Sequence, residues 1–512
     1  MSREQLPTVF ALDFGTSSLK AGLIDLEGNL LWSGRRVFPQ VPNYTHWHTA
    51  QWLFVMEELL SDFSTFAGTR AASAPRTSAP RTRAPEMHSS AGTRTATTPL
   101  IPNAISISGN GPSLVMLSSQ YADQRRARWP VLLWMTSANL GIEGEKSMYL
   151  PKINYLREHD PAGFKKTCRF LSTAEYITWV LCGSECAISP TEEFSEYIWT
   201  EQSLKTYGLS SSLFPAYRRP GEVIGTVDRM GADVSGLPEG LPVICSSSDF
   251  LMSLLGTGVI EDGLCCDRAG TSEGINYCSR KAPRFPQPRM RRHVQLIPHL
   301  REGYYNIAGI LSGTGRIFEW FRQISHQQDV SYIDMMKKVL SVSGSVPQFF
   351  PSVHTIDDWE FNGGIFAGLQ PNHGSSECGL AIINAIAFGI RMTLERMNAL
   401  GCAITSMRSC GGQAKNDLWC QMKADISSTR IEVPRIEDAE LTGSAIMGFM
   451  GLGYFASLTE GVEGLVTIAK HFEPNLLKHE EYTEQYHYWM KSWNDHAAPH
   501  DKNSDGVLSK SR

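Results

Sequence analysis

No stretch of this chain approaches the roughly 18 consecutive apolar residues that a membrane-spanning helix needs. The opening MSREQLPTVFALDFG lacks a basic region followed by a long apolar stretch, so no secretory leader is expected. Positive charge is not in excess either: 47 lysines and arginines stand against 52 aspartates and glutamates. A formal charge of −5 gives no footprint for a nucleic-acid partner, although a local pocket can still be electropositive. The 11 cysteines are scattered, and the closest pair, Cys265 and Cys266, lacks the spacing of a metal knuckle. They read as reduced, mostly buried thiols of a cytoplasmic enzyme with no membrane partner. Two phosphate-binding signatures are missing as well. There is no Gly-x4-Gly-Lys-Ser/Thr loop, and no Gly-x-Gly-x-x-Gly follows a first strand.

What is present is a long chain of ordinary apolar content. Its 512 residues exceed one ordinary core, so two or three domains are expected. Residues 9–14, 19–25 and 30–37 read as three consecutive antiparallel strands, with Gly28 and Asn29 turning the second into the third. A short amphipathic helix is expected over 52–60. Residues 67–99 break the pattern. They are rich in Ala, Pro, Thr, Ser and Arg and nearly repeat SAPRT, a composition expected of a disordered insertion. NAISISGN then alternates like a strand, and a helix-rich stretch follows, with Gly183 as a helix stop.

GEVIGTV and GLPVICSSSDF read as strands and close a layered unit near residue 245. A second unit opens with GLCCDRAGTSEGINYC, a strand, a Gly-Thr-Ser turn and another strand. Further on come LSGTGR before a helix, a long helix over 376–400, a strand–Gly-Gly–helix element around CGGQAKND, and a packed helix in AELTGSAIMGFMGLG. The tail from 471 carries a final helix and a frayed end.

Three places carry chemistry. LDFGTSSLK joins Asp13, three hydroxyls and Lys20 around one turn, and AGTSEGIN has the same flavour. Turns of this kind present N–H groups and hydroxyls that suit phosphate oxygens, and an aspartate beside phosphate makes sense if Mg²⁺ lies between. An ordinary hairpin with a solvated aspartate fits the local pattern equally. Asp249 follows an apolar strand and precedes a helix, where a layered sheet opens its cleft, but an aspartate there can also simply cap the helix. Gly411 and Gly412 either make a tight turn or clear room for a flat ring or phosphate at a helix N-terminus.

Taken in order, LDFGTSSLKAGLID, SISGNG, SSSDFLMSLLGTGVIEDG, AGTSEGIN, GGQAKNDLWCQMKADI and ELTGSAIMGF resemble the FGGY family of carbohydrate kinases, within the actin, sugar kinase and Hsp70 ATPase fold group. The resemblance runs from about residue 8 to 476. It implies an α/β fold of two ribonuclease H-like (actin-like ATPase) domains around a central cleft. The division expected is a sugar-binding domain over 1–247, a nucleotide-binding domain over 248–476, and a helix with a frayed tail over 477–512.

The resemblance also implies roles. Asp13 resembles the aspartate of the first phosphate loop, which helps hold Mg²⁺, with Asp249 as a second metal contact. Gly15, Thr16 and Ser17 resemble the loop facing the ATP phosphates, and Lys20 a position that is usually basic. Gly270 and Thr271 resemble the second phosphate loop, with Gly315 of LSGTGR on the same nucleotide side. Gly412 and Asn416 resemble the support of the adenosine. Asp249 resembles the base that takes the proton of the sugar hydroxyl, and Asn110, Gly111 and Trp134 stand on the acceptor side with it. The expected reaction is phosphoryl transfer from Mg·ATP to a sugar or polyol, a ketopentose such as D-xylulose among them. A homodimer is left open.

The acceptor side departs from the family pattern. SGNGPSLV stands where xylulose kinases typically have Gly-Gln-Met-His-Gly. Thr136 and Ala138 occupy places where many relatives carry an aspartate and an arginine, and Phe250 replaces a common glutamine. A catalytically quiet sugar or nucleotide sensor on the same fold is the alternative these changes leave open.

Overall fold

The computed structural model describes residues 6–39, 47–68, 100–118, 124–136, 140–285, 293–354, 359–361 and 363–497. Most of the expected insertion (69–99), the position of Ala138 and the expected frayed end (498–512) lie outside the described residues.

Two large sheets organise the chain. The first holds six strands: β1 (Thr8–Phe14), β2 (Ser18–Asp25), β3 (Leu30–Val37), β4 (Ala104–Gly109), β5 (Val223–Thr226) and β6 (Pro242–Ser248), in the order β5-β6-β4-β1-β2-β3. β1, β2 and β3 run antiparallel as the alternation predicts, while β4 joins β1 in parallel and β6 joins β4 in parallel. β1 is buried along its whole length, as a central strand covered on both faces must be. Phe10, Leu12 and Phe14 point to one core, and Val9 and Ala11 to another. The first core is closed by α1 (Thr49–Ala67) and α2 (Thr173–Cys182). α1 is longer than the expected 52–60, because Phe63 and Ala67 continue its buried stripe until Gly68 ends it at φ 76°. β6 runs directly into α3 (Asp249–Gly256).

The second sheet holds seven strands: β7 (Cys265–Ala269), β8 (Glu273–Ser279), β9 (Val294–Pro298), β10 (Tyr305–Leu311), β11 (Ser406–Cys410), β12 (Arg430–Pro434) and β13 (Ile468–Phe472), in the order β9-β10-β8-β7-β11-β12-β13. Around it lie α4 (Thr314–Ile324), α5 (Ser375–Ala399), α6 (Asp417–Ser427) and α8 (Leu476–His496), while α7 (Ala439–Gly451) packs elsewhere. Among the described residues α5 alone is long and apolar enough to cross a membrane, and 83% of its most apolar window is buried in the core. A small three-stranded sheet of Leu114–Ser118, Val131–Leu132 and Thr167–Leu171 sits in the stretch read from sequence as helix-rich. Its strands are too short for periodicity to reveal.

α7 lies in the latter half of the sequence but covers the Val9 face of the first sheet, packing on β1, β4, β6 and β2. There it crosses α3 at backbone contact. A Cβ on Gly256 would lie 1.8 Å from the Ala439 carbonyl oxygen, and one on Gly443 would lie 2.1 Å from that of Met252. Only hydrogen side chains allow this approach. Gly443→Ala should therefore cost about 1–3 kcal/mol through overpacking. Gly141→Ala, in open space, should stay within about 0.5 kcal/mol. Urea denaturation of the two variants checks the contrast, and equal midpoints would contradict it.

Candidate active site

The period of two along β1 places Asp13 on the same face as Val9 and Ala11, the face covered by α7. The antiparallel register sets Lys20 opposite Asp13. The first turn of α7 brings Glu440, and its N-cap residue is Asp438. Lys20 Nζ lies 3.2 Å from Asp438 Oδ1, 3.2 Å from Glu440 Oε2 and 3.8 Å from Asp13 Oδ2. Ser108, at the end of β4, donates to Asp13 Oδ1 at 2.8 Å. Asp13 is 1% exposed. Burial, then Glu440, raises its pKa to about 7; Lys20 and Ser108 pull it down, and Asp249 adds to the rise.

Asp249 begins α3 behind the N-cap residue Ser248. Its Oδ1 accepts the Phe250 N–H at 2.7 Å. Its Oδ2 faces Arg268 Nη1 at 3.6 Å. The carboxylate thus satisfies one helix N–H and also turns its second oxygen to the end of β7. Burial raises its pKa, with Arg268 opposing and Glu440 adding to the rise.

Four carboxylates (Asp13, Asp249, Asp438, Glu440) therefore meet three cations (Lys20, Arg268 and Lys415, whose Nζ lies 2.6 Å from Asp438 Oδ2). Fully ionised, the cluster carries one surplus negative charge, and its oxygens suit a hard divalent cation. The acids are spread along the cleft: no group of three or more His, Cys, Asp or Glu residues is gathered as a ligand set among the described residues. A cation here would need oxygen ligands beyond those of the protein.

The first phosphate-type turn is closed by the Gly15 N–H donating to Ser18 O at 3.1 Å. Ser17 is exposed, and its carbonyl accepts from Phe38. The second turn, Gly270–Thr271, is held from α4. The Gly315 N–H donates to Thr271 O at 3.1 Å, and a Cβ on Gly315 would lie 2.3 Å from Gly270 O. Gly315 thus packs behind the turn. In the third element Gly411 has φ 88°, and a Cβ there would lie 2.5 Å from Ala269 O. Gly412 beside it faces open space. Asn416 Oδ1 caps α6 through the Leu418 and Trp419 N–H groups, while its Nδ2 is buried without a partner among the described residues. An open glycine and an unfilled donor fit a ligand edge at this point.

On the other side, a cavity of about 30 Å³ is lined by Asn110, Gly111, Tyr149, Glu175, Ser247 and Ser248 among others. The Asn110 side chain is already committed. Its Nδ2 donates to Phe14 O at 2.9 Å and Gly15 O at 3.0 Å, and its Oδ1 accepts from Ser113. It pins the turn after β1, and both Asn110 and Gly111 line the cavity. Trp134 Nε1 donates to Thr16 Oγ1 at 2.8 Å, linking the acceptor-side loop to the first phosphate-type turn. Lys152 holds that loop through the carbonyls of Leu133, Trp134 and Thr136. Burial lowers its pKa to about 8.

Several residues of this arrangement were not singled out in the sequence. Glu440 opens ELTGSAIMGF, but nothing in a single sequence tells that α7 will dock on β1. Asp438, Arg268 and Lys152 carried no local signal. Nor did the buried network below the second turn, where Lys423 Nζ contacts Asp267 Oδ2 at 2.7 Å and Glu273 Oε1, and Ser409 donates to Asp267 at 2.7 Å. These residues are spread over 157 positions, and only the pairing of β7, β8 and β11 with α6 brings them together.

Comparison with known proteins identifies the family. Residues 136–256 match the N-terminal domain, and residues 268–452 the C-terminal domain, of the FGGY family of carbohydrate kinases. The two matches together span more than half of the chain, which belongs to that family. Xylulose kinase of Bacillus subtilis is 23% identical over 492 residues, covering 93% of this chain and 94% of its own. An autoinducer-2 kinase of an Enterobacter species is 24% identical over 384 residues, covering 67% and 68%. The crystal structure of ligand-bound xylulose kinase from Lactobacillus acidophilus superposes with a TM-score of 0.73 at 18% identity, covering 97% of this chain and all of that one. The α/β architecture of two actin-like ATPase domains flanking a cleft is the one expected.

The buried network sets a pH dependence with a definite sign. Burial and Asp267 raise the Glu273 pKa from 4.5 to about 8, against Lys423. A carboxyl whose folded pKa lies above its unfolded value stabilises the fold fully below the unfolded value, and that contribution is lost as pH rises through about 8. Glu273→Gln mimics the protonated form. It should remove this group's decline in stability between pH 4.5 and 8, measured by urea denaturation across that range. An unchanged slope would show that Glu273 is not the group holding the proton.

Proposed function

We propose that this protein transfers the terminal phosphoryl group of ATP to a hydroxyl of a sugar or polyol, with Asp249 as general base. A ketopentose such as D-xylulose is the first acceptor to test, because the relatives that share nearly the whole chain are xylulose kinases. The observation that carries the reading is the placement of Asp249. It stands at the end of β6, one oxygen tied to α3 and the other turned to the β7 edge, within electrostatic reach of Asp13.

In this reading Asp249 orients the acceptor hydroxyl and takes its proton. The acceptor oxygen forms its bond to the γ-phosphorus while the bond to the β,γ-bridging oxygen breaks, and that electron pair leaves with ADP. Gly15, Thr16, Ser17, Gly270 and Thr271 supply N–H groups and hydroxyls to the phosphates. Gly412 leaves room for the adenosine, and Asn416 Nδ2 offers it a donor. Asp13 and Asp249 would help hold Mg²⁺. Bound there, the ion would neutralise phosphate charge beside the carboxylates. Lys20, tied to three acids, fixes Asp13 in place. Closure of the cleft excludes water, whose hydroxyl competes as acceptor.

Asp249→Asn should lower kcat by about 10²–10⁴-fold, the usual worth of a general base. Its affinity for Mg·ATP should stay within a few-fold of wild type. A coupled assay across ketoses, aldoses, polyols and glycerol, with calorimetry for nucleotide, measures both. Wild-type turnover by the variant would remove Asp249 from the mechanism. Binding of Mg·ATP by the wild type with no acceptor phosphorylated would favour a nucleotide sensor.

A further inference from the structure

Arg268 has no part in the roles given so far, yet it stands at the centre of the cleft. Its backbone is fixed on both sides, paired in register with Gly274 on β8 and Cys410 on β11. A side chain on a central strand is placed rigidly. It lies two residues before the Gly270–Thr271 turn and reaches across to α3. We propose that Arg268 is a catalytic residue that donates hydrogen bonds to the γ-phosphoryl oxygens of the bound nucleoside triphosphate. This inference rests on the kinase reading above.

The donors decide the matter. A guanidinium carries five N–H groups in a planar fork that matches phosphate oxygens. The polar partner of Arg268 among the described residues is Asp249, at 3.6 Å. That is well beyond the 2.7–2.9 Å of a charge-assisted hydrogen bond. Arg268 Nε is buried and has no partner among the described residues. A buried donor left unmade is costly, and a residue placed merely to neutralise Asp249 would close that gap. The other cations of the cluster are already paired, Lys20 within 3.8 Å of three carboxylates and Lys415 at 2.6 Å from Asp438. Arg268 is the cation of this cluster with donors to spare, positioned between the base and the second phosphate-type turn. During transfer its protons stay on the guanidinium. It stabilises the charge on the oxygens of the moving phosphoryl group, while the acceptor proton goes to Asp249 and the bridging electron pair to ADP.

Nucleotide calorimetry separates this role from a structural one without relying on turnover. Wild type, Arg268→Met and Arg268→Lys are titrated with Mg·ADP and with the magnesium complex of the β,γ-imido analogue of ATP. Arg268→Met should bind ADP within about threefold of wild type and the triphosphate analogue at least tenfold more weakly. Its kcat should fall by about 10²–10³-fold, the usual loss on removing one such donor. Arg268→Lys should recover part of the triphosphate affinity but little of kcat, since an ammonium lacks the fork. Equal losses for both nucleotides, or none, would overturn the assignment. Arg268→Gln carries the same comparison if the methionine variant does not fold. Failure of wild type to bind either nucleotide would instead overturn the kinase reading itself.

Discussion

The backbone contact between α3 and α7 is the constraint on which the site depends. Asp249 is the first residue of α3, and Glu440 lies in the first turn of α7. The two helices close on glycines at Gly256 and Gly443. With larger residues there the helices would separate by the width of a side chain, and the carboxylates at their ends would separate with them. β1 then completes the group from below, because Asp13 shares the face on which α7 rests. The acids meet because helices pack closely there, against their own repulsion.

That repulsion is what Lys20 offsets. Four carboxylates in a poorly solvated cleft cannot all ionise cheaply, and Asp13 shows the strain through its raised pKa. Lys20 answers three of them at once, and Arg268 faces the fourth. The surplus of negative charge is a standing affinity for cations and for cation-bearing ligands. On the nucleotide side the logic is different. There the protein withholds bulk, at Gly412, and leaves a donor open, at Asn416 Nδ2. Below it, Lys423 sits wholly buried between two acids and ties β7 and β8 to α6, so that the turn joining those strands is anchored at its base.

Much of this was legible in the sequence. The alternation in VFALDF, the Gly-Thr-Ser turns and the order of the six family-like segments give the two-sheet architecture and bring Asp13 and Asp249 to attention. Their contacts were not legible. Asn110 reads as an acceptor contact because it stands in the right segment; that its amide also donates to the Phe14 and Gly15 carbonyls follows from the parallel pairing of β4 with β1. Arg268 and Lys423 look like ordinary strand and helix charges until strands far apart in sequence are paired. The local pattern also left Asp249 undecided between cap and base, because one carboxylate has two oxygens and the structure uses them differently.

The docking of α7 on the first sheet has a consequence for how this chain is made. A Cβ on Gly448 would lie 2.5 Å from the Val9 side chain, so the helix is an intimate part of the wall beside β1. At about 5–20 residues per second, roughly 10–40 seconds of synthesis separate the end of β6 at Ser248 from α7. Throughout that interval the nascent first sheet carries Val9, Ala11 and Ile24 with no lid over them. The first half of the polypeptide is thus a waiting template on the ribosome, its oily face uncovered until the ribosome delivers the segment that belongs there.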